Sequence, residues 1–297
     1  MREIRLRAKA KINLGLDVLR KRDDGYHEVR MIMHTIGLYD RIVLRPSENE
    51  GITLRTNLGF LPVNGDNLAY KAAKMLMDEF AVREGLEIEL NKYIPVAAGM
   101  AGGSSDAAAV LVGVNRLFGL RLNKEELMKR GRQIGADVPF CVMRGTALAE
   151  GIGEILTPLP PLPECYILIA KPPVNVSTKF VYESLRANEL KEHPDIDGQI
   201  EALKNQDLLA LAKRMGNVLE TVTIPAYPVI GRIKEKMLEL GAINTLMSGS
   251  GPTVFGLFTD RQRAQDAYEK MRAAGEAKHV YLVTQGHSAA RAMETQV

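Results

Sequence analysis

Apolar and polar positions alternate near the start of the chain. Ile12, Leu14, Leu16 and Val18 fall on one side of an extended segment, and Lys11, Asn13 and Asp17 fall on the other. Lys11 and Asn13 are therefore predicted to share a face. A second alternation, Leu86, Ile88 and Leu90 against Glu87, Glu89 and Asn91, predicts a half-buried strand that runs into Pro95. Helical spacing governs three other segments. Leu68, Ala72, Met75, Leu76 and Phe80 follow Asp66-Asn67, residues suited to an N-cap. Ala107, Val110, Leu111, Val114, Leu117 and Phe118 recur at three and four residues until Gly119, predicting a helix with one buried face. A further helix opens at Asn123, with Glu126 in capping-box position, and ends at Gly135, so that Asp137 lies just past a helix terminus.

The cluster Thr157-Pro158-Leu159-Pro160-Pro161-Leu162-Pro163 can continue neither a helix nor a central strand, because each proline lacks a backbone donor. A boundary there predicts an N-terminal lobe of residues 1–160 and a C-terminal lobe of 161–297. Beyond it the pattern predicts a strand at Tyr166 to Ala170, helices over 177–185, 207–215 and 227–240, strands at 243–247 and 253–259, a helix from Asp260 to Ala273 and a last strand at 279–283. That string is close to the split β-α-β order of ferredoxin-like domains. The fold class is α+β in two lobes, with no internal repeat, and the polar tail after Gln285 is expected to fray.

With 46% hydrophobic and 25% charged residues, the chain has the make-up of an ordinary globular protein. A formal net charge of +3 falls short of the concentrated field of a nucleic-acid binder, and clustered Lys and Arg with interleaved aromatics are missing. No nucleic-acid partner is expected. No apolar run approaches the roughly 18 residues of a membrane span, and Lys11, Asn13 and Asp17 interrupt the stretch that a secretory leader would need. Cys141 and Cys165 show no paired spacing, so neither a disulfide nor a thiolate metal site is indicated, and a cytoplasmic location is expected. The five histidines, His287 among them, show no ligand spacing for zinc.

The chemistry concentrates in Pro95-Val96-Ala97-Ala98-Gly99-Met100-Ala101-Gly102-Gly103-Ser104-Ser105-Asp106. Small side chains let backbone N–H groups approach an oxyanion, the following helix aims its unpaired N–H groups at the same point, and Ser104 and Ser105 add hydroxyls at the cap. Neither the Walker loop nor the dinucleotide fingerprint is matched. The plainer reading is a strand-to-helix connection with a serine cap. Ser248-Gly249-Ser250-Gly251-Pro252-Thr253 reads first as a hairpin turn between strands, Asp137 as a turn former or a general base, and Lys11 and Lys92 as solvated strand lysines or as cations of a site. Asp23-Asp24-Gly25-Tyr26-His27 reads as a hairpin tip that offers two rings for stacking.

The segment Pro95 to Ser105, with its Ser-Ser-x-Ala-Ala ending, resembles the phosphate loop of the superfamily of galactokinase, homoserine kinase, mevalonate kinase and phosphomevalonate kinase (GHMP). Ala10-Lys11-Ile12-Asn13-Leu14 and Gly249-Ser250-Gly251-Pro252-Thr253 are similar to its first and last motifs, in the same order. Asp24-Gly25-Tyr26-His27 and Gly135-Ala136-Asp137-Val138-Pro139 resemble the branch of that superfamily acting on a methylerythritol that carries a cytidine diphosphate, in the non-mevalonate route to isoprenoids. A related decarboxylase, homoserine kinase or mevalonate kinase would leave the Tyr26-His27 pair without a reason.

The resemblance implies a GHMP-kinase-like fold with a ribosomal-protein-S5-like N-terminal lobe and a ferredoxin-like C-terminal lobe. It implies ATP as phosphoryl donor, with Mg²⁺ expected and its ligands unassigned. Asp137 would take the proton from the substrate 2-hydroxyl while Lys11 stabilises the developing charge. Gly99, Gly102, Gly103, Ser104 and Ser105 would meet phosphate, Pro95 would belong to the same ATP-binding loop, and Asn67 and Lys92 would sit near the nucleotide. Tyr26 and His27 would hold the cytidine base, Asn13 would orient it, and Thr178 and Tyr182 would line the substrate side from the second lobe. Monomer and homodimer stay open. Ala97, Ala98 and Ala101 stand where glycine would be freer. Either the loop is stiffer for it, or only Gly99, Gly102 and Gly103 take unusual dihedrals.

Overall fold

The computed structural model describes residues 3–285; the tail expected to fray lies outside the described residues, as do His287, Met1 and Arg2. In chain order come β1 (Ile4–Lys21), β2 (His27–Ser47), β3 (Ile52–Thr56), α1 (Leu68–Glu79), β4 (Gly85–Asn91), α2 (Gly102–Leu117), α3 (Lys124–Ile134), α4 (Val138–Met143), β5 (Thr146–Glu150) and β6 (Ile155–Leu159). The chain continues through β7 (Tyr166–Lys171), α5 (Thr178–Ser184), α6 (Ile196–Lys204), α7 (Leu208–Arg214), β8 (Gly216–Asn217), α8 (Glu220–Ala226), α9 (Val229–Glu239), β9 (Asn244–Met247), β10 (Val254–Phe258), α10 (Arg261–Ala274) and β11 (His279–Thr284).

A seven-stranded sheet runs β3-β4-β2-β1-β8, with β5 and β6 added beside β2. A four-stranded antiparallel sheet has the order β11-β7-β10-β9, with α9 and α10 packed on it, in keeping with the ferredoxin-like reading. The two-residue β8, from the C-terminal half, pairs in parallel with β1 at Gly15 and Leu16, so the first sheet closes on a strand from far along the chain.

The periodicity assigns no element to residues 28–47, which make up all but the first residue of β2, the partner of β1, β4 and β5. The strand is buried on both faces over residues 31–36, where no alternation shows, and only its two ends alternate between buried and partly exposed positions. The alternation read in β1 also needs correcting. Its register slips between Lys9 and Lys11 and again between Asn13 and Gly15, and each β-bulge reverses which residues face which side. Ile12 and Leu14 therefore join one core cluster, while Leu16 and Val18 join the other. Lys11 and Asn13 do share a face, and the slips turn it into the protein.

Helix α2 departs from the one-faced expectation as well. Residues Ser105 through Val114 are all buried, because the helix is packed against β1 and β2 on one side and against α1 and α4 on others. Each large aliphatic side chain sealed in this way contributes about 1.5–3 kcal/mol. The best-secured local structure is the capping box of α3, where Asn123 and Glu126 cap each other's backbone as predicted. At its other end the helix stops at Gly135, the C-cap, close before Asp137.

Candidate active site

Strand β4 delivers the chain to Lys92, and a loop from Pro95 to Ala101 carries it into α2. Three of the loop's seven residues are left-handed: Ala97 (φ 51°), Gly99 (φ 70°) and Ala101 (φ 55°). The alternative in which only the glycines take unusual dihedrals is thus overturned, since two alanines do so while Gly102 and Gly103 are helical. The glycines answer a different demand. A Cβ on Gly99 would collide with the carbonyl oxygen of Ser248, and one on Gly102 would press on Lys92 Nζ and Ile94 at 3.2 Å.

Neither serine caps the helix. Ala101 holds the N-cap position with no side-chain bond, and the Ser105 hydroxyl is buried and donates to the Lys9 carbonyl at 2.5 Å. Of the two hydroxyls, only that of Ser104 lines the cleft. The turn at 248–253 is the hairpin connecting β9 and β10, and it is also packed on the loop: Ser248 Oγ donates to the Gly99 carbonyl at 2.9 Å.

Lys11 and Asp137 meet in front of this loop, Nζ to Oδ2, at 3.9 Å. The Lys11 side chain is 6% exposed and that of Asp137 32%, so the cation is buried and the carboxylate faces the opening. Asn13 Oδ1 accepts a hydrogen bond from Lys11 Nζ at 2.8 Å, and the Asn13 amide donates to Met31 Sδ at 3.2 Å. Asn13 thus sets the direction of the ammonium. Asp137 occupies the N-cap position of α4 without forming a cap bond, which leaves its carboxylate uncommitted to the helix.

Behind the loop lies a charge cluster of which the motifs gave only part. Lys92 Nζ pairs with Asp40 Oδ2 and, at 2.6 Å, with Asp106 Oδ2; the three side chains are 4%, 0% and 4% exposed. Asp40 Oδ1 also accepts from the backbone N–H of Tyr93 at 2.5 Å and of Ile94 at 2.8 Å. Burial, reinforced by the charge of Asp40, pushes the Asp106 carboxyl well above the usual carboxylate range, and its Oδ1 has no hydrogen-bond partner. Two carboxylates around one ammonium in a dry site favour a shared proton. The solvated-lysine reading fails for both Lys11 and Lys92.

On the other side of Lys11 the walls are side chains. The His27 ring lies 5.2 Å from that of Tyr182, at 47°, while Tyr26 stands 60% exposed at the hairpin tip. Desolvation, with Lys21 nearby, lowers the pKa of His27, and burial pushes the Tyr182 hydroxyl up, so both rings are neutral near pH 7. Thr178 Oγ1 and Ser250 Oγ are 2.8 Å apart, joining α5 to the glycine turn.

One cleft of about 990 Å³ gathers every predicted site residue except Ser105. Asn67 lines it too, although its amide serves first as the N-cap of α1, accepting from Ala69 N–H, and donates to the Pro62 carbonyl. Sequence reasoning missed Asp40, whose only signal is an acidic residue inside a strand, and it passed over Asp106, which stood within the loop motif itself.

A glycine-containing loop leading into a helix N-terminus, with a buried lysine beside a carboxylate in the same cleft, is the setting of a phosphoryl-transfer enzyme for small molecules. Residues 67–145 match the family model for the GHMP kinases N terminal domain and residues 199–277 that for GHMP kinases C terminal, and the chain belongs to the GHMP kinases. It is 62% identical to the 4-diphosphocytidyl-2-C-methyl-D-erythritol kinase of Lachnospira eligens over 95% of this chain and 98% of that one. It is 56% identical to the protein of the same name from Lachnoclostridium phytofermentans, over 94% and 96%. A crystal structure of 4-(cytidine 5'-diphospho)-2C-methyl-D-erythritol kinase superposes with a TM-score of 0.82 at 33% identity, covering 95% of this chain and 98% of the other. A homoserine kinase from Cytophaga hutchinsonii, at 21% identity and a TM-score of 0.75 over 95% of each chain, shares the fold.

Proposed function

We propose that this chain transfers the γ-phosphoryl group of ATP to the 2-hydroxyl of 4-diphosphocytidyl-2-C-methyl-D-erythritol. The observation that carries the reading is the Lys11–Asp137 pair, 3.9 Å apart between the phosphate loop and the Tyr26–His27–Tyr182 rings. The high identity to curated relatives of that name supports the choice of substrate.

Phosphoryl transfer asks a protein for alignment and charge stabilisation rather than covalent help. The N–H groups of the loop and of the start of α2, with the Ser104 hydroxyl, cradle the phosphates. Lys11, directed by Asn13, faces the charge that develops between donor and acceptor. Asp137 orients the hydroxyl and accepts its proton as the bond to phosphorus forms. His27, Tyr182 and the exposed Tyr26 hold the cytosine ring of the substrate, at a distance that brings its alcohol to Asp137.

Mg²⁺ would screen the transferring phosphate. The described residues build no cage of three or more carboxylate, histidine or cysteine ligands, and Asp106 is committed to Lys92. The site fits an ion carried chiefly by phosphate oxygens and water. In domain terms, the reading places the cleft between a lobe of residues 1–160 and a lobe of 161–297. The deciding experiment is a coupled ADP-release assay with this substrate, mevalonate and homoserine. ADP formation with the cytidylyl substrate alone is expected, and turnover of either other alcohol in its place would sink the assignment.

A further inference from the structure

The left-handed alanines at 97 and 101 persist only if the surroundings over-determine them, because a Cβ is disfavoured in that region. On the outer side the loop is tied at two points. Ser248 Oγ donates to the Gly99 carbonyl at 2.9 Å, and the backbone N–H of Lys11 donates to the Met100 carbonyl at 3.2 Å. Its two ends are held further back, the exit in part by the Ser105 hydroxyl on the Lys9 carbonyl. Asp40, on β2, accepts the N–H groups of Tyr93 and Ile94, the residues immediately before Pro95, with one oxygen. With the other it grips Lys92, whose ammonium reaches Asp106 in the opening turns of α2 and lies directly beneath Gly102.

We propose that Asp40 is a positioning residue for phosphoryl transfer: one buried carboxylate fixes the entry of the phosphate loop directly and its exit through Lys92 and Asp106. The inference rests on the assignment of this loop to the phosphates of ATP. Asp40 has no exposed side-chain surface and does not line the cleft, so any effect it has on nucleotide must pass through the groups it holds. The distance between the loop's ends decides whether its N–H groups converge on one point, and small misplacements of such donors are expensive.

The cluster is also balanced in charge. With a proton on Asp106, Asp40 and Lys92 form a neutral unit, which places no net negative charge under bound polyphosphate.

The test is Asp40→Asn, which keeps an acceptor for the two N–H groups but removes the charge that holds Lys92. The ATP KM is expected to rise at least tenfold while the KM of the cytidylyl substrate stays within about twofold, with circular dichroism close to the parent protein and a lowered Tm. Combined with Lys92→Met, the two changes should be strongly non-additive, since they cut one chain of contacts. Asp40→Ser, whose shorter side chain releases both N–H groups as well as Lys92, serves as the second variant, with the same KM split expected. Hydrogen exchange at the Tyr93 and Ile94 amides should quicken in Asp40→Ser and slow again when ADP is added. An unchanged ATP KM, or equal rises in both KM values, would overturn the proposal. Failure of the parent protein to release ADP with the cytidylyl substrate would instead remove the functional assignment itself.

Discussion

On the loop side of the cleft, the groups that face a ligand are backbone N–H groups and glycines, held from behind by a buried cluster of three charges. On the Tyr26 side they are rings: His27 buried, Tyr182 half-buried, Tyr26 mostly in solvent. The first arrangement suits a ligand that every member of a kinase family must hold in the same place. Backbone donors are fixed by the fold, and residues that support them are costly to change. The second arrangement suits discrimination, because a ring at a hairpin tip can be exchanged without disturbing a core. Lys11 and Asp137 stand where the two arrangements meet.

The sharpest way to probe that junction is Asp137→Asn. Loss of the acceptor for the alcohol proton should lower kcat by about 10²–10⁴-fold with little change in either KM, as measured by steady-state ADP release. Full activity in this variant would remove Asp137 as the proton acceptor and leave Lys11 alone at the junction of the two walls.

A change on the substrate wall should read out on one ligand only. His27→Ala removes a stacking ring worth about 1–3 kcal/mol, so the KM of the cytidylyl substrate should rise roughly tenfold with the ATP KM within about twofold. Equal effects on both ligands would count against a wall devoted to the cytosine.

On the loop wall, Gly99→Ala and Gly103→Ala separate glycine needed by the fold from glycine needed by the ligand. At Gly99 the left-handed φ of 70° and the collision with the Ser248 carbonyl should cost about 1–3 kcal/mol in urea unfolding. At Gly103 an added methyl would meet only Leu68 Cδ1 at 3.5 Å. Stability there should move by less than about 1 kcal/mol, and the ATP KM should rise. The opposite order would mean that the loop is shaped by ligand contact rather than by its neighbours.

The smallest effect expected is on pH dependence. Desolvation holds His27 below its ordinary value of 6.5, as it does His279 at the start of β11. A depressed histidine favours the neutral form in the fold, so its contribution to stability is complete above pH 6.5 and declines as pH falls through that value. Urea midpoints measured across this range should fall on acidification, and His27→Gln should flatten part of the slope. A midpoint that rose instead would contradict the neutral ring.

Much of the site could be read along the chain because its parts are local. The loop motif, the hairpin tip and the Gly135–Pro139 segment each lie within a dozen residues, and the glycine stop of α3 at Gly135 places Asp137 just past a helix terminus from sequence alone. The misses share a cause, which is that their information is carried by partners distant in sequence. A bulge is visible only against the neighbouring strand, so the division of β1 between two core clusters could not be foreseen from its alternation. Ser105 looked like a cap until the Lys9 carbonyl, from the other end of the lobe, was found to accept its hydroxyl.

By itself the sequence determined the kind of chemistry: a glycine loop before a helix, a lysine and an aspartate in recognisable settings, and rings suited to a nucleobase. Those follow from residue type and short spacing, which set backbone freedom, charge and hydrogen-bonding capacity. The resemblance already set Lys11 and Lys92 apart, but only the tertiary structure decided what holds each of them. Lys11 and Lys92 both look like strand lysines, and both are buried. Lys92 is locked between Asp40, fifty-two residues away, and Asp106, whereas Lys11 has Asn13 to aim it and Asp137 across an open cleft. Burial makes charge pairing obligatory, and which charges can pair is settled by how the strands and α2 pack, which no local pattern specifies.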